Sequence, residues 1–291
     1  MGKKIDTRAI GLDTGLALAR WLTGAENLHY GLWTGLEVTA GNLRLAQDAY
    51  TARLLAELPA GRLRILDIGG GAGETAKKLI ALGHMVEIVV PSAYLAERCR
   101  KNAPEAAVHE CRFEDYTGSG PFDLCLFSES FQYIPIMESL PKCARLLVSD
   151  GQVLIADCFR TEAYLGGNKH GPQPGGGHRE SSLRAALMTL PFDVVSEHDI
   201  SAAVAPSIDL EQGMYNVLGV GLTSSRAEIM AKKPFLYRLL TTAFALFVSR
   251  KRRENLLNRL TGNERSSAAF LRYNRYMILK LARKPANLPK S

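Results

Sequence analysis

The chain has 291 residues, of which 46% are hydrophobic, so it is long and apolar enough to bury the core of one large domain, or of one domain with a cap. Its five cysteines, an odd number without Cys-x-x-Cys spacing, disfavour a disulfide framework and a zinc site, and we expect buried thiols, no metal and a reducing, cytoplasmic setting. The net charge of +7 is concentrated at one end, because residues 226–291 hold 16 Lys and Arg against three Glu.

The first 50 residues are predicted to form helices around the aromatic segment His29-Tyr-Gly-Leu-Trp33. The opening residues lack the apolar core of a signal peptide. The longest apolar run near the C-terminus, Ala243 to Val248, is too short to cross a bilayer. We therefore expect residues 1–50 to be a helical lid rather than a targeting segment.

Strands and helices alternate through the middle of the chain. The pattern predicts helices at 75–82, 93–102 and 137–147, between strands at 63–67, 85–90, 107–112, 124–127 and 152–157. Such alternation is typical of an α/β fold with a doubly wound, mostly parallel sheet. We assign residues 51–200 to this Rossmann-like core, with its ligand-binding turns at the carboxyl edge of the sheet.

The pattern becomes looser after the fifth predicted strand. A Gly- and Pro-rich loop over 164–180 precedes a helix at 181–189 and a sixth strand at 192–200. Residues 201–270 are predicted to form a basic helical cap, and residues 271–291 the final strand and a tail. The sheet should therefore have seven strands, with the cap inserted before the last one.

The most informative segment joins the first predicted strand to the next helix. Gly71 to Ala76 fits the alanine variant of the dinucleotide-binding pattern G-x-G-x-x-G, which also requires an acidic residue about 20 positions later. The alternative spacing, acidic-x-G-x-G-x-G, fits Asp67, Gly69, Gly71 and Gly73 at every position. In both cases the missing Cβ atoms let a ligand lie against the backbone, where amides at the helix N-terminus face it.

Together with three other segments, this spacing resembles that of class I S-adenosylmethionine (SAM)-dependent methyltransferases. The segment 29–33 is similar to the aromatic N-terminal motif of the cyclopropane-synthase, tocopherol and sterol methyltransferase branch. Pro121-Phe-Asp-Leu-Cys-Leu-Phe127 resembles the fourth-strand motif of that branch, and Leu147 to Ile155 resembles its fifth-strand motif. The resemblance covers residues 28–285 and implies SAM as the cofactor.

The resemblance also implies a set of cofactor-binding residues, although the sequence departs from the family in two places. Val90 and Pro91 stand where the second strand usually ends in an acid that accepts both ribose hydroxyls, and Arg112 aligns with the usual acid beside the adenine. We expect other side chains near these positions to take over both contacts. The expected cofactor-binding residues are Tyr30, Asp67, Gly69, Gly71, Gly73, Ser92, Phe113, Glu114 and Ser128.

Three residues are candidates for the chemistry. In the family, the segment after the fourth strand faces the transferred methyl group, so Glu129 could act as a general base or an electrostatic guide, and Tyr133 could position the acceptor. His178 in the Gly-rich loop is a candidate base, because His titrates near neutral pH. These polar residues equally fit structural or solvated roles, and methyl transfer depends mainly on alignment, so a dedicated base is optional.

The basic cap admits three interpretations. Leu236, Leu239, Leu240 and Phe244 can share one helix side with Phe247, flanked by basic residues at 232–233 and 250–253. This helix can pack its apolar side on the sheet and expose a basic face, or it can meet an anionic membrane surface. It can also bind an acidic substrate or nucleic acid. Nucleic acid is the least supported partner, because we find no RNA-binding module or base-flipping motif.

The sequence thus predicts a SAM-dependent methyltransferase that acts on a small, apolar or amphipathic acceptor. Isoprenoid-, quinone- and lipid-like acceptors fit, as in small-molecule biosynthesis, in the cytoplasm or at the periphery of a membrane. An NAD(P)-dependent oxidoreductase and a non-catalytic SAM-binding or membrane-associated module are the alternatives.

Overall fold

The computed structural model describes residues 7–164, 176–262 and 265–284, so most of the loop predicted over 164–180, including His170, lies outside the described residues. A seven-stranded sheet has the order β3-β2-β1-β4-β5-β7-β6. The first five strands pair in parallel, and β7 runs antiparallel to both of its neighbours. The predicted α/β, doubly wound sheet is therefore confirmed. The strands are β1 (Arg64–Ile68), β2 (Met85–Val89), β3 (Ala107–His109), β4 (Phe122–Ser128), β5 (Leu147–Arg160), β6 (Phe192–Asp199) and β7 (Asn274–Arg283).

Helices cover both faces of this sheet and form the insertion before β7. The predicted boundary at residue 50 falls inside the second helix, because Tyr50 and Leu54 of that helix are buried in the core. The helices are α1 (Thr7–Thr23), α2 (Leu43–Leu55), α3 (Glu74–Ala81), α4 (Ala93–Asn102), α5 (Ile136–Leu146), α6 (Glu180–Leu187), α7 (Ser201–Val204), α8 (Pro206–Lys232), α9 (Pro234–Phe247), α10 (Arg250–Thr261) and α11 (Ser267–Tyr273).

The core consists of two apolar clusters, one on each face of the sheet. Neighbouring strand residues point to opposite faces, so Ile65 belongs to one cluster and Leu66 to the other. The central strands are buried on both faces, which explains why they appear in the sequence as continuous apolar runs. The cysteines were expected to be buried thiols, and four of the five are buried and all five are free.

The strand directions decide which residues meet at the site. Asp67 in β1, Ser128 in β4 and Asp157 in β5 lie towards the carboxyl ends of parallel strands, which share one edge of the sheet. Because β7 is antiparallel, it begins at that same edge, and Tyr276 there pairs with Cys158 of β5. Residues from both halves of the chain therefore converge at the carboxyl edge. Among the helices that the structure describes, none has both the length and the hydropathy needed to cross a membrane.

Candidate active site

Three glycines of the turn after β1 have positive φ angles, but for different reasons. A Cβ on Gly69 would lie 2.4 Å from the Cβ of Ser130, and one on Gly73 would lie 3.0 Å from the Cα of Cys99 in α4. Those two glycines therefore allow close packing. A Cβ on Gly71, whose φ is +55°, would meet no atom nearer than 4.0 Å. Gly71 is thus the position where the backbone lies open to a ligand.

A cavity of about 460 Å³, which we call the glycine-loop cavity, opens in front of this turn. Most of the predicted cofactor-binding residues line it, but Tyr30 and Gly73 do not. Gly73 supports the packing of α3 against α4 instead, and Tyr30 lies on a different cavity. The predicted residues that do line the glycine-loop cavity are Asp67, Gly69, Gly71, Ser92, Phe113, Glu114 and Ser128.

Asp67 is the buried acid of this cavity. Its side chain is 1% exposed, and within the described residues its Oδ2 atom has no hydrogen-bond partner. Burial raises the pKa of the carboxyl group to about 7. A buried, unpaired acceptor is costly unless a donor or a cation reaches it. The open backbone at Gly71 and this carboxylate therefore fit a ligand that carries an ammonium or sulfonium group, such as SAM.

The departure from the family at β2 has a structural explanation. Glu87 lies in mid-strand, where its carboxylate accepts hydrogen bonds from Arg64 (2.7 Å) and Tyr116 (3.1 Å) and lies 2.9 Å from His109 Nε2. It does not line the cavity, so it cannot replace the missing acid. Ser92 does line the cavity, and its hydroxyl also caps α4 by accepting the amide hydrogen of Leu95.

An acid that the sequence did not reveal fastens the N-terminal segment to the glycine turn. Glu26 is 5% exposed and accepts hydrogen bonds from Arg98 and Asn102 of α4, at 2.7 and 2.8 Å. Asn102 also donates to the carbonyl of Ala72, at 2.9 Å. This network closes one side of the glycine-loop cavity with residues that precede the sheet.

A second and larger cavity, of about 1400 Å³, lies on the other side of the segment 27–30. We call it the helical cavity, because α1, α8 and α10 supply most of its walls. Its lining is largely apolar, with an ion pair of Arg265 and Glu211 (3.0 Å) on one wall. A mostly apolar cavity with a few polar groups is the usual form of a small-molecule site. Apolar members of the lining include Leu18, Leu22, Leu210, Met214, Val217 and Leu218.

Glu129 lies on the wall that the two cavities share. Its φ angle of +57° is left-handed, a strained conformation for a residue other than glycine. Its Oε1 atom accepts hydrogen bonds from the amide of Tyr30 (2.8 Å) and the hydroxyl of Tyr276 (2.9 Å). Burial, and to a lesser degree the nearby Asp157 carboxylate, raises the pKa of Glu129 to about 8. Tyr133 also lines both cavities.

Glu129 is connected through Tyr276 to a chain of hydrogen-bonded hydroxyl groups. The hydroxyl of Tyr276 lies 2.8 Å from that of Tyr50, which lies 3.1 Å from the Oγ of Ser128. His29 stacks on Tyr50, with ring centroids 4.4 Å apart, and its burial lowers its pKa to about 4. The imidazole is therefore neutral at physiological pH. This neutral network fixes the side chain of Glu129 in one position.

His178 does not face either cavity, which corrects its expected role as a base. Its Nε2 atom lies 3.1 Å from the carbonyl of Phe131 and 2.9 Å from that of Ile134. Both partners are acceptors, so Nε2 carries the hydrogen and donates it to them. His178 thus holds the segment after β4. Asp157, at the end of β5, holds the same segment by accepting the amide hydrogen of Gln132 at 3.0 Å.

Asp157 and Tyr276 belong to the site, although sequence reasoning did not select them. A signal for Asp157 was present, since it ends a predicted strand at the edge where ligands bind. Tyr276 could have been found only from the reversed direction of β7. Within the described ranges, no group of three or more His, Cys, Asp or Glu side chains is arranged to hold a metal ion.

Comparison with known proteins supports this picture. Residues 66–155 match the family model described as "Methyltransferase domain". Over 138 residues the chain is 32% identical to the tRNA 5-carboxymethoxyuridine methyltransferase of Escherichia coli (strain K12), a match that covers 44% of this chain and 52% of the relative. It is also 32% identical over 162 residues to the ubiquinone biosynthesis O-methyltransferase of Caulobacter sp. (strain K31), covering 47% and 62%. The chain thus spans about half the length of the first relative.

The likeness to solved structures extends over nearly the whole chain. Geranyl diphosphate C-methyltransferase from Streptomyces coelicolor A3(2) superposes with a TM-score of 0.63, covering 97% of this chain and all of the other at 13% identity. At that identity the likeness shows the fold. The resemblance inferred from the sequence motifs is confirmed by the family match and this fold together. Residues 66–155 therefore match a methyltransferase domain, within a chain that has the fold of the class I SAM-dependent methyltransferases.

Proposed function

We propose that the chain is a SAM-dependent methyltransferase whose acceptor is a small amphipathic molecule bound in the helical cavity. The observation that carries the proposal is the position of Glu129, which lies on the wall between the helical cavity and the glycine-loop cavity. One cavity offers an open glycine backbone and an unpaired carboxylate, and the other offers a large apolar volume. Two compartments that meet at one buried acid suit a transfer between two different ligands.

The residues of the glycine-loop cavity that would hold SAM are those with open or unpaired groups. Asp67 would pair with its cationic part, the backbone at Gly71 would lie against it, and Phe113 and Glu114 would flank the adenine. Ser92 would take the ribose contact that β2 does not provide. When bound, SAM supplies an electrophilic methyl group to the site.

The chain's own contribution is to orient the acceptor and to hold its proton. In the described part of the chain, the two hydrogen bonds of the Glu129 carboxylate are both accepted by Oε1, which leaves Oε2 for the acceptor. With a pKa of about 8, Glu129 can take a proton from an acceptor hydroxyl or stabilise positive charge that develops on the acceptor. Tyr133 would position the acceptor beside it. An acceptor bound along the apolar walls would displace water and strengthen these interactions.

The relatives support an acceptor with an apolar body. One relative is named for ubiquinone biosynthesis, and the solved structure is named for geranyl diphosphate. The Arg265–Glu211 pair, with Arg259 beside it, places two cations and one anion on the helical cavity wall, which suits an acceptor with an anionic end. Such an acceptor fits an enzyme of the cytoplasm that works at the periphery of an anionic membrane.

Transfer RNA is the second candidate acceptor, because the Escherichia coli relative is named for a tRNA modification. The basic segment 226–291 would then contact phosphates, and binding would fall steeply with salt. A single assay compares the candidates: release of S-adenosylhomocysteine (SAH) from SAM with a prenylated phenol, an isoprenoid diphosphate or bulk tRNA as the acceptor. We expect turnover with one of the first two. Turnover with tRNA alone would replace the proposed acceptor class.

Calorimetry tests the cofactor independently of the acceptor. We expect the chain to bind SAH and not NAD⁺, because the acid that would hold an NAD ribose is missing after β2. Binding of NAD⁺ without SAH would favour the oxidoreductase alternative. Binding of SAH without turnover on any acceptor would favour a non-catalytic SAM-binding module.

A further inference from the structure

Helix α9 is apolar and almost completely exposed. Within the part of it whose side chains are described, residues 234–246, every residue is exposed except the half-buried Tyr237. Phe235 and Leu246 are 81% and 80% exposed, and Leu239 is 58% exposed. This helix therefore does not pack its apolar side on the sheet, as one interpretation of the sequence proposed.

The orientation of α9 is the reverse of that expected for a helix on a water-exposed surface. Its polar residue Tyr237 accepts a hydrogen bond from Arg226 of α8 at 2.9 Å, so the polar side lies against the protein. Thr241, on the same side, bonds to its own helix backbone. A surface helix in water normally turns its apolar stripe towards the core. Phe235, Leu239 and Leu246 lie on the side opposite Tyr237, and the less exposed Leu236, Leu240 and Phe244 extend this stripe round towards Tyr237. We call these six residues the α9 apolar face.

Basic residues stand at both ends of this face. Lys232 and Lys233 precede the helix, and Arg250 and Arg253 follow it. Within the described ranges, the ion pairs of Lys232 and Arg250 are with exposed glutamates of their own helices, which leaves both cations accessible to other anions. An apolar helix face flanked by cations matches the two layers of an anionic bilayer surface, in which phosphates lie above acyl chains.

Helix α8 connects α9 to the rim of the helical cavity. Trp21 and Leu22 of α1 line that cavity and are 80% and 38% exposed. Val217 and Leu218 of α8 also line it and are 72% and 59% exposed. Leu218 is eight residues from Arg226, which is about 12 Å along the same helix. Between these two positions, Val220 and Leu222 of α8 are also exposed.

We propose that the α9 apolar face docks on an anionic lipid bilayer, and that the acceptor enters the helical cavity from the bilayer past Trp21 and Leu218. The second part of this inference rests on the proposed function. The first part, the docking, rests on the exposed face and its flanking charges. Charge complementarity favours lipid over a second copy of the chain, whose corresponding face would carry the same positive charge.

The docking is tested with the full chain and sedimenting vesicles, of phosphatidylcholine alone or mixed with phosphatidylglycerol. The variant is Leu239→Gln with Leu240→Gln. The matched control makes the same kind of change at Leu82 and Met188, which are 59% and 85% exposed on other elements. We expect the wild type and the control to bind anionic vesicles, and the α9 variant to bind them about tenfold or more weakly, because two buried side chains are lost. Raised salt should weaken binding further.

Tryptophan fluorescence tests the position of the cavity rim. The chain has two tryptophans, and Trp33 is buried, so a blue shift with anionic vesicles reports on Trp21. We expect this shift in the wild type and its loss in Trp21→Phe. Vesicle binding without a shift would place the rim away from the lipid and overturn the entry route.

Three other outcomes would overturn the docking. Equal vesicle binding by the wild type and the α9 variant, or none by either, would show that the face does not meet lipid. A wild-type dimer that the α9 variant dissociates, without vesicle binding, would assign the face to a second copy. SAH affinity, measured by calorimetry in the same samples, separates this inference from the proposed function. SAH binding without vesicle binding would overturn only the docking. Vesicle binding without SAH binding would overturn only the proposed methyltransferase function.

Discussion

The unpaired oxygen of Asp67 makes cofactor binding depend on pH. With a pKa of about 7, this carboxyl group is about one-tenth ionised at pH 6 and about nine-tenths ionised at pH 8. A cationic ligand pairs with the ionised form. The contribution of Asp67 to the affinity for SAM should therefore rise about tenfold between pH 6 and pH 8. We predict that Asp67→Asn abolishes this rise and weakens binding at pH 8.

The same substitution should stabilise the protein without ligand. The folded-state pKa of Asp67 lies above its ordinary value of 3.8, so the folded state binds this proton more tightly than the unfolded state. The stability that the proton gives is complete below about pH 4 and is lost as the pH rises through 7. A pKa raised by about three units corresponds to a loss of about 4 kcal/mol in the free energy of unfolding at pH 8. Asp67→Asn should recover part of this and raise the Tm at pH 8 but not at pH 4.

Calorimetry from pH 6 to pH 8 measures the first effect. The amino group of SAM titrates near pH 8 as well, so the relevant quantity is the ratio of wild-type to variant affinity, in which that titration cancels. Asp193→Asn is the matched control, because Asp193 is exposed and lines neither cavity. A ratio that stays constant across this range, or a variant that is no more stable than the wild type at pH 8, would refute the reasoning.

Three further predictions concern other positions. Gly71→Val should abolish SAH binding with the fold retained. Gly61 also has a positive φ angle and open space around it but lines neither cavity, so Gly61→Val should bind SAH normally; equal calorimetric affinities of the two variants would contradict this. Glu129→Gln keeps an acceptor oxygen but cannot take a proton, so turnover should fall about 100-fold while SAH affinity stays near the wild-type value. An unchanged rate would exclude proton transfer at Glu129. Gly31→Ala would place a Cβ 2.5 Å from the Cβ of Ala46. This contact should lower the free energy of unfolding, measured by denaturant titration, by about 1–3 kcal/mol. An unchanged value would show that the backbone around Gly31 adapts.

The sheet and the glycine turn could be predicted because both depend on local patterns. Continuous apolar runs separated by amphipathic segments indicate buried parallel strands, and the positions of Asp67 and Gly71 follow from the spacing after the first strand. The sequence also located Glu129, since it follows the fourth strand at the ligand-binding edge. These features are determined by neighbours in the chain.

The remaining parts of the site depend on contacts between distant residues. The role of Gly73 depends on the approach of α4 to α3, which no spacing reveals. Tyr30 contributes a backbone amide to Glu129, so its residue type did not indicate its role. For α9, the apolar stripe was evident in the sequence, but the direction in which it faces is decided by the contact of Tyr237 with Arg226.

The two hydrogen bonds that hold Glu129 have a consequence for the order in which the proposed active site is completed. The partners of Glu129 are Tyr30, 99 residues earlier in the chain, and Tyr276, 147 residues later. All the described residues that line the glycine-loop cavity lie before residue 135. A chain emerging from the ribosome therefore carries the whole cofactor half long before β7 exists, and Glu129 is fixed only when synthesis is nearly finished. In the same way, the helical cap before β7 can vary while the segment 66–155 that matches the methyltransferase domain is retained, which would change the proposed acceptor cavity without disturbing the glycine-loop cavity.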